Sequence, residues 1–181
     1  MRKEDPYHSQ ARTIARNLES KEIQAYTSVL TLVEVASVAS RLYQLSSRKV
    51  LGRTLLHEEE ITEEHNVKER TIFIIKTIQK LASLGIKFVQ ISGDARFLVP
   101  EVEIGVPALF DEAVLISFLC PLRTFDLMHI AAAKHAKQAD GNLGALVTGD
   151  TDFLRKKQEL SKIIGMPVLS PVEYIAALGL K

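Results

Sequence analysis

The chain has 181 residues, of which 46% are hydrophobic and 25% are charged, and its formal net charge is +1. At ~150 residues per domain, this length predicts one domain spanning residues 1–181. The composition is that of a folded protein and excludes intrinsic disorder. The small net charge excludes a general basic coat, so nucleic acid would have to bind a local basic patch or a bound metal ion.

The single cysteine and the hydropathy pattern bear on cellular location. Cys120 has no second thiol for an internal disulfide, and zinc ribbons and iron–sulfur clusters need several thiolates. The N-terminus has no apolar signal-peptide core. The longest uncharged run, residues 23–33, is shorter than the ~18 residues expected of a membrane span. These features predict a soluble cytoplasmic protein with no membrane segment.

Helix signals recur along most of the chain. Asp5 and Pro6 suit the N-cap and first position of a helix, Ser28 can cap another helix, and Gly85 suits a helix end. The predicted helices begin at residues 5–6, then cover 28–45, one or two segments within 49–64, and 66–84, 108–119, 124–139, 151–158 and 171–178.

Short apolar runs between these helices predict strands at residues 23–26, 87–91, 145–147 and 167–169. Residues 92–107 contain several glycines and prolines and fit no element pattern. Strands separated by helices favour an α/β fold in which a parallel sheet has helices on both faces.

Glu34 is the first of three acidic positions that suggest a functional site. It is the only charged residue between residues 23 and 40, and its apolar helix is predicted to be largely buried. A buried carboxylate is costly unless it is paired or bound to a metal ion. The alternative explanation is that Glu34 lies on a polar stripe with Thr31, Ser37 and Arg41.

Asp126 and Asp150 are the other two positions. Asp126 lies in a first helical turn, where the helix dipole alone favours a carboxylate, and His129 follows one turn later, where packing beside alanines is its ordinary role. Asp150 and Asp152 directly follow a predicted strand, and ligands of parallel α/β sheets bind outside the carboxyl ends of strands. Capping of the next helix by Asp150 is the alternative.

Together these motifs resemble the PIN domain family of metal-dependent ribonucleases, which includes VapC-type toxins. The matching segments are Thr27-Ser28 with Leu30-Thr31 and Glu34-Val35, then residues 126–133 (Asp-Leu-Met-His-Ile-Ala-Ala-Ala), and then residues 147–153 (Val-Thr-Gly-Asp-Thr-Asp-Phe). Each motif is short, but their order and their predicted places in the fold are specific in combination.

The resemblance implies a three-layer α/β domain that hydrolyses RNA phosphodiester bonds with Mg²⁺ or Mn²⁺. It assigns catalysis and metal binding to Glu34, Asp126 and Asp150, and a further metal contact to Asp152. Thr148 and His129 are accessory residues. It also implies an RNA substrate and leaves open an inhibitory antitoxin protein and a homodimer. Three nearby cations could hold the RNA backbone or simply form a solvated helix face: Arg155, Lys156 and Lys157.

The sequence departs from the family at its N-terminus. The family has an N-terminal strand that ends in an aspartate, and this sequence does not show one. Either an upstream reading frame supplies it or this member is incomplete and inactive. A catalytically weak RNA- or protein-binding module is therefore the alternative to a ribonuclease. A small-molecule phosphohydrolase with an aspartate nucleophile would also need an early strand followed by aspartate, and is disfavoured.

Two structural expectations follow from the resemblance. Glu34, Asp126 and Asp150 should meet in one cleft, with the pKa of at least one carboxyl raised by the others. The family's central strand would lie between the strands at residues 23–26 and 145–147, so its absence would leave these two ~9.6 Å apart, with unpaired backbone groups facing the gap. An upstream segment is the favoured occupant. A strand from another chain and direct pairing of the two strands are the alternatives.

Overall fold

The computed structural model describes residues 6–38, 63–89, 91, 93–99 and 102–180, and these form an α/β structure rich in helices. The helices are α1 (His8–Glu19), α2 (Val29–Val38), α3 (Glu63–Ser83), α4 (Ala108–Leu119), α5 (Thr124–Ala139), α6 (Thr151–Arg155), α7 (Lys157–Ile164) and α8 (Pro171–Leu178). The strands are β1 (Tyr26–Ser28), β2 (Lys87–Val89), β3 (Asp94–Val99), β4 (Val102–Pro107), β5 (Leu146–Val147) and β6 (Val168–Leu169).

The strands pair two by two, so the expected continuous parallel sheet is not formed within the described ranges. β1 pairs with β2 and β5 pairs with β6, both in parallel, with Tyr26 opposite Lys87 and Leu146 opposite Val168. β3 and β4 form an antiparallel hairpin in the segment that matched no element pattern. No ladder joins β1 to β5 in this part of the chain, so the two strands are not paired directly.

Several helix boundaries agree with those predicted because local signals set them. α4 ends at Leu119, two residues before Pro121, since proline disfavours helical backbone in the residue that precedes it. α5 covers the predicted range, and Gly85 adopts a φ of 72° just after α3. The single helix predicted at residues 151–158 is wrong, because α6 and α7 are separate helices that meet at Lys156.

The first strand begins later than predicted because the turn after α1 is longer. Lys21 has a φ of 61°, and the N–H groups of Glu22 and Ile23 both donate to the carbonyl of Asn17. The turn therefore uses residues that the apolar run had placed in the strand. The predictions for Asp5, for the end of the helix at residue 45 and for the helices before residue 63 fall outside the described residues.

The core lies where α4, α5, α7 and β6 meet. Its fully buried side chains are Ile116, Cys120, Ile130, Leu160 and Val168. α4 and α5 meet at a bend of 109°. Among the described residues, no single helix is long and apolar enough to cross a membrane, and α4 and α5 reach that length and hydropathy only when counted as one segment. The core is thus built by the second half of the chain. Phe153 of α6 belongs to it, and Leu146 of β5 packs against it.

Candidate functional site

A cavity of about 650 Å³ lies between β1 and β5. Residues 24–28 line one side of it and residues 144–150 line the other, and the alanines of α5 contribute Ala132, Ala133 and Ala136. The carboxyl ends of β1 and β5 lead directly into α2 and, through residues 148–150, into α6. Side chains that follow these two strands therefore meet at one end of the cavity.

Glu34, Asp126 and Asp150 all line this cavity, although 92 positions (126 − 34) separate the first two and 24 (150 − 126) the last two. Thr148 and His129 line it as well. The structure therefore brings the three acidic residues that the motifs single out to one place, together with both accessory residues.

Asp126 is the acidic residue of the site whose pKa is raised by its surroundings. Burial raises the pKa of its carboxyl group, and the negative charge of Asp150 raises it further, with a smaller effect from Asp152. Contacts with Arg123 act in the opposite direction without cancelling the rise. Desolvation and like charge both disfavour the ionised form, so a cation next to Asp126 would be stabilising.

Glu34 lies on a more exposed surface than its apolar helix predicts. Its side chain is 51% exposed, and Val29, Val33 and Val38 on the same helix are also exposed, so the expectation of a largely buried helix is wrong for the described part of α2. The glutamate is not an isolated buried charge. Its presence in the cavity, not its burial, is what connects it with the other two acids.

A contact chain links Glu34 to β1 through His129. Oε2 of Glu34 lies 3.1 Å from Nε2 of His129, at ion-pair distance but without the alignment of a hydrogen bond. On the other side of the ring, Nδ1 of His129 lies 3.4 Å from Oγ of the buried Ser28. The histidine that was expected to pack beside alanines thus contacts both the glutamate and Ser28.

Asp150 performs the capping role that was its alternative explanation. Its Oδ1 accepts hydrogen bonds from the N–H groups of Asp152 and Phe153, at 2.6 and 3.4 Å, and so caps α6. Its own N–H donates to Oγ1 of Thr148 at 3.1 Å. The cap uses one carboxylate oxygen, while the residue still lines the cavity, so capping and ligand binding are compatible for this side chain.

The remaining predicted contacts lie outside the cavity and have partners within the chain. Asp152 forms an ion pair with Arg155 on the same short helix and does not line the cavity. Lys156 donates to the carbonyl of Pro121 at 2.6 Å, and Lys157 pairs with Glu173 at 2.6 Å. A nucleic acid that contacted these cations would have to compete with those partners.

The donor set fits a hard divalent cation in its chemistry. The three acids present oxygen ligands, which suit Mg²⁺ or Mn²⁺, and the raised pKa of Asp126 shows repulsion that such an ion would relieve. Within the described ranges, however, no three Asp, Glu, His or Cys side chains stand close enough together to hold an ion as they are. Binding would require the side chains to draw together.

Two neighbours of the site had no clear signal in the sequence. Ser28 was predicted as a helix cap and as part of a matched motif, but neither prediction indicated its contact with His129, which joins positions 101 apart. Tyr7 covers Gly149, where a Cβ atom would lie 3.1 Å from the tyrosine ring. A side chain directly before Asp150 would therefore have to displace the tyrosine ring by a few tenths of an ångström. A glycine in a turn is too common to have indicated this contact.

Searches of the curated proteins and of the solved structures found no significant match. The family model for the PIN domain matches residues 4–159, which is most of the chain and includes β1, α5, β5 and α6. All three acidic residues of the cavity fall within the matched range. The chain therefore belongs to the PIN domain family.

Proposed function

We propose that this protein is a metal-dependent ribonuclease that hydrolyses RNA phosphodiester bonds. PIN domains are generally nucleases, and they generally use divalent metal ions. The observation that supports the proposal is the meeting of Glu34, Asp126 and Asp150 in one cavity, with the pKa of Asp126 raised partly by Asp150. Carboxylates that repel one another destabilise the folded protein, and the same negative charges favour the binding of a cation.

The three cavity acids would hold Mg²⁺ or Mn²⁺, with Asp152 as an additional contact. When bound, such an ion activates a water nucleophile and neutralises charge on the scissile phosphate. The protein's own part is to position the ligands. His129 contacts Glu34, and the N–H of Asp150 donates a hydrogen bond to the hydroxyl of Thr148.

The RNA backbone would contact the basic segment after α6. Arg155, Lys156 and Lys157 follow the acidic end of the cavity by only a few residues. Phosphates would replace their present partners, Asp152, the Pro121 carbonyl and Glu173. The same proposal includes an inhibitory antitoxin protein as a partner, a homodimer as the assembly and the cytoplasm as the location.

Cleavage of a fluorophore–quencher RNA tests the activity, with Mg²⁺, Mn²⁺ or EDTA present. Asp126→Asn and Glu34→Gln should each reduce cleavage by about 100-fold or more, since removing one electrostatic contributor to a transition state costs ~10²–10³ in rate. Glu19→Gln is the matched control. Glu19 is also 51% exposed and pairs with Lys80 at 3.1 Å, but it lies outside the cavity. Equal losses in Glu34→Gln and Glu19→Gln would contradict the proposed site.

A second candidate function is an RNA- or protein-binding module without catalysis. It is favoured by the absence, in the part of the chain that the structure describes, of three ligands already placed for a metal ion. RNA binding measured by fluorescence anisotropy separates the two candidates. Binding that is unchanged by EDTA, with no cleavage in either metal ion, would support the module and exclude the ribonuclease.

A further inference from the structure

The imidazole ring of His129 lies between two side chains that come from one segment, β1 and α2. Ser28 is the last residue of β1 and Glu34 lies on α2, whereas His129 belongs to α5. Oγ of Ser28 is 3.4 Å from Nδ1 of the ring, and Oε2 of Glu34 is 3.1 Å from Nε2. Each ring nitrogen therefore faces a different side chain of the same segment.

The chemistry of the three groups determines which atoms donate and which accept. An ionised glutamate can only accept hydrogen bonds, so Nε2 of His129 needs a hydrogen to be a favourable neighbour of Glu34. In a neutral imidazole the other nitrogen then has no hydrogen and can only accept. A serine hydroxyl can donate to it. The contacts thus fit one direction of donation, from Ser28 to His129 and from His129 to Glu34.

Burial makes both contacts of the ring important. Among the residues that the structure describes, Ser28 is the only buried one with a polar side chain, so its hydroxyl has little access to water. Nε2 of His129 is also buried and has no aligned hydrogen-bond partner in that part of the chain. A buried polar atom without a hydrogen bond is unfavourable. A small rotation of the half-exposed Glu34 side chain would align its carboxylate with this nitrogen and remove the penalty.

Glu34 depends on such a partner more than Asp150 does. Oδ1 of Asp150 already accepts from two N–H groups of α6, which fix its carboxylate. The Glu34 side chain has one more rotatable bond than an aspartate and is 51% exposed. A long side chain loses rotamer freedom when it binds an ion, and this loss lowers the affinity. A partner that orients the carboxylate in advance reduces the loss.

We propose that His129 is a positioning residue of the metal site, which donates from Nε2 to Oε2 of Glu34 and leaves the second carboxylate oxygen for Mg²⁺ or Mn²⁺. Ser28 fixes the ring from the other side by donating to Nδ1. This inference rests on the proposed function, because that function assigns the ion to Glu34. Residues that orient a metal ligand change the metal affinity by ~10–100-fold when they are replaced.

The first test measures Mn²⁺ affinity by isothermal titration calorimetry. His129→Asn should weaken binding by about tenfold or more, because asparagine places no donor at the Nε2 position. His129→Gln should recover most of the affinity, since the longer amide carries its nitrogen to about that position. An equal loss in both variants would overturn the inference, because the donor would then not be the cause.

His135→Asn is the matched control for this comparison. His135 is also on α5, and its Nε2 is buried without a hydrogen-bond partner among the described residues, but it does not line the cavity. Asparagine lowers helix propensity equally at both positions. The control should therefore keep the Mn²⁺ affinity of the parent, and a loss as large as that of His129→Asn would reduce His129 to a structural residue.

A double-mutant cycle shows whether His129 acts through Glu34. Glu34→Gln should weaken Mn²⁺ binding by itself, and adding His129→Asn to it should then cost less than about twofold more. If the two losses instead multiply, His129 acts independently of Glu34 and the inference is overturned.

A readout without metal tests the contact itself. In EDTA and at alkaline pH, where imidazole is neutral, ¹⁵N NMR of the His129 ring should show the hydrogen on Nε2, and Glu34→Ala should shift that N–H signal. A hydrogen on Nδ1, or a signal that ignores Glu34→Ala, would overturn the positioning role while leaving metal binding intact. A parent protein that binds neither Mn²⁺ nor Mg²⁺ would instead overturn the metal-dependent function, and this inference with it.

Discussion

The pKa of Asp126 is affected both by burial and by a neighbouring charge. The helix dipole favours a carboxylate in the first turn of α5. The pKa of Asp126 is nevertheless raised, because desolvation and the charge of Asp150 together outweigh the contacts with Arg123. In the absence of metal, the ionised carboxyl group of Asp126 therefore lowers the stability of the folded protein.

Asp126→Asn should raise the melting temperature in EDTA at pH 7. A carboxyl group whose pKa is raised by folding destabilises the fold fully above its folded pKa, and this effect disappears below the unfolded value of ~3.9. The advantage of the variant over the parent should thus shrink as the pH falls towards that value. Thermal melts from pH 7 to pH 3.5 measure it. A constant difference would contradict this electrostatic explanation.

Asp150 separates metal binding from helix capping. Asparagine caps a helix about as well as aspartate, whereas alanine costs ~0.5–2 kcal/mol. In EDTA, Asp150→Asn should be slightly more stable than the parent, because repulsion with Asp126 is removed, and Asp150→Ala should be less stable.

Metal titration of the same variants completes the comparison. Mg²⁺ or Mn²⁺ at 100 times its dissociation constant should stabilise the parent by about 2.7 kcal/mol. Both variants should lose most of this gain, measured as the rise in melting temperature. A parent protein whose melting temperature ignores both ions would count against a metal site.

At the scale of elements, α8 has the most complete local signal. Ser170 accepts from the N–H of Glu173, whose carboxylate accepts in return from the N–H and hydroxyl of Ser170, and Pro171 follows at the first position. Contacts with Lys157 and with Ser170 lower the pKa of Glu173 to about 2. The capping box also connects α8 to α7, since Lys157 begins that helix.

Glu173→Gln should destabilise the protein at pH 7, because glutamine keeps the capping geometry but loses the charge. A lowered pKa means that the carboxylate stabilises the fold above its unfolded value, near 4.5, and that this contribution is lost as the pH falls through about 2. Urea denaturation at pH 7 and pH 2 measures it. A loss of equal size at both pH values would show that charge is not the cause.

Helices and strands differ in how far local sequence determines them. α4, α5 and α8 agree with prediction because their signals act within a few residues: Pro121 follows α4, apolar spacing runs along α5, and the cap of Ser170 with Pro171 begins α8. β3 and β4 were not predicted, because the glycines and prolines of their segment hide any strand pattern. The two strands form because their backbone groups hydrogen-bond to each other. A strand needs a partner, and the identity of the partner is not a local property.

At the scale of the whole molecule, the buried cluster between α4, α5 and α7 dominates stability. Leu160→Ala removes a side chain that is 0% exposed and should cost ~2–5 kcal/mol. Leu119→Ala is the matched control, because Leu119 is 63% exposed, and a change within ~0.5 kcal/mol is expected. Chemical denaturation of the two variants measures the difference. Equal losses would mean that the exposed face of α4 is also covered in solution.

The sequence by itself determined the α/β class and the main helices of the second half, since each depends on residues near in the chain, and its motifs singled out the three acidic residues as candidates. Only the tertiary structure decided that His129 contacts Glu34, 95 positions away (129 − 34), and that Ser28 contacts the other side of the histidine ring. It also decided that α2 is partly exposed and that the parallel strands form separate pairs among the described residues. The physical reason is the distance along the chain between the residues that interact. Caps and helix ends are satisfied within one or two turns, whereas burial, ion pairs and sheet edges depend on which distant segments meet.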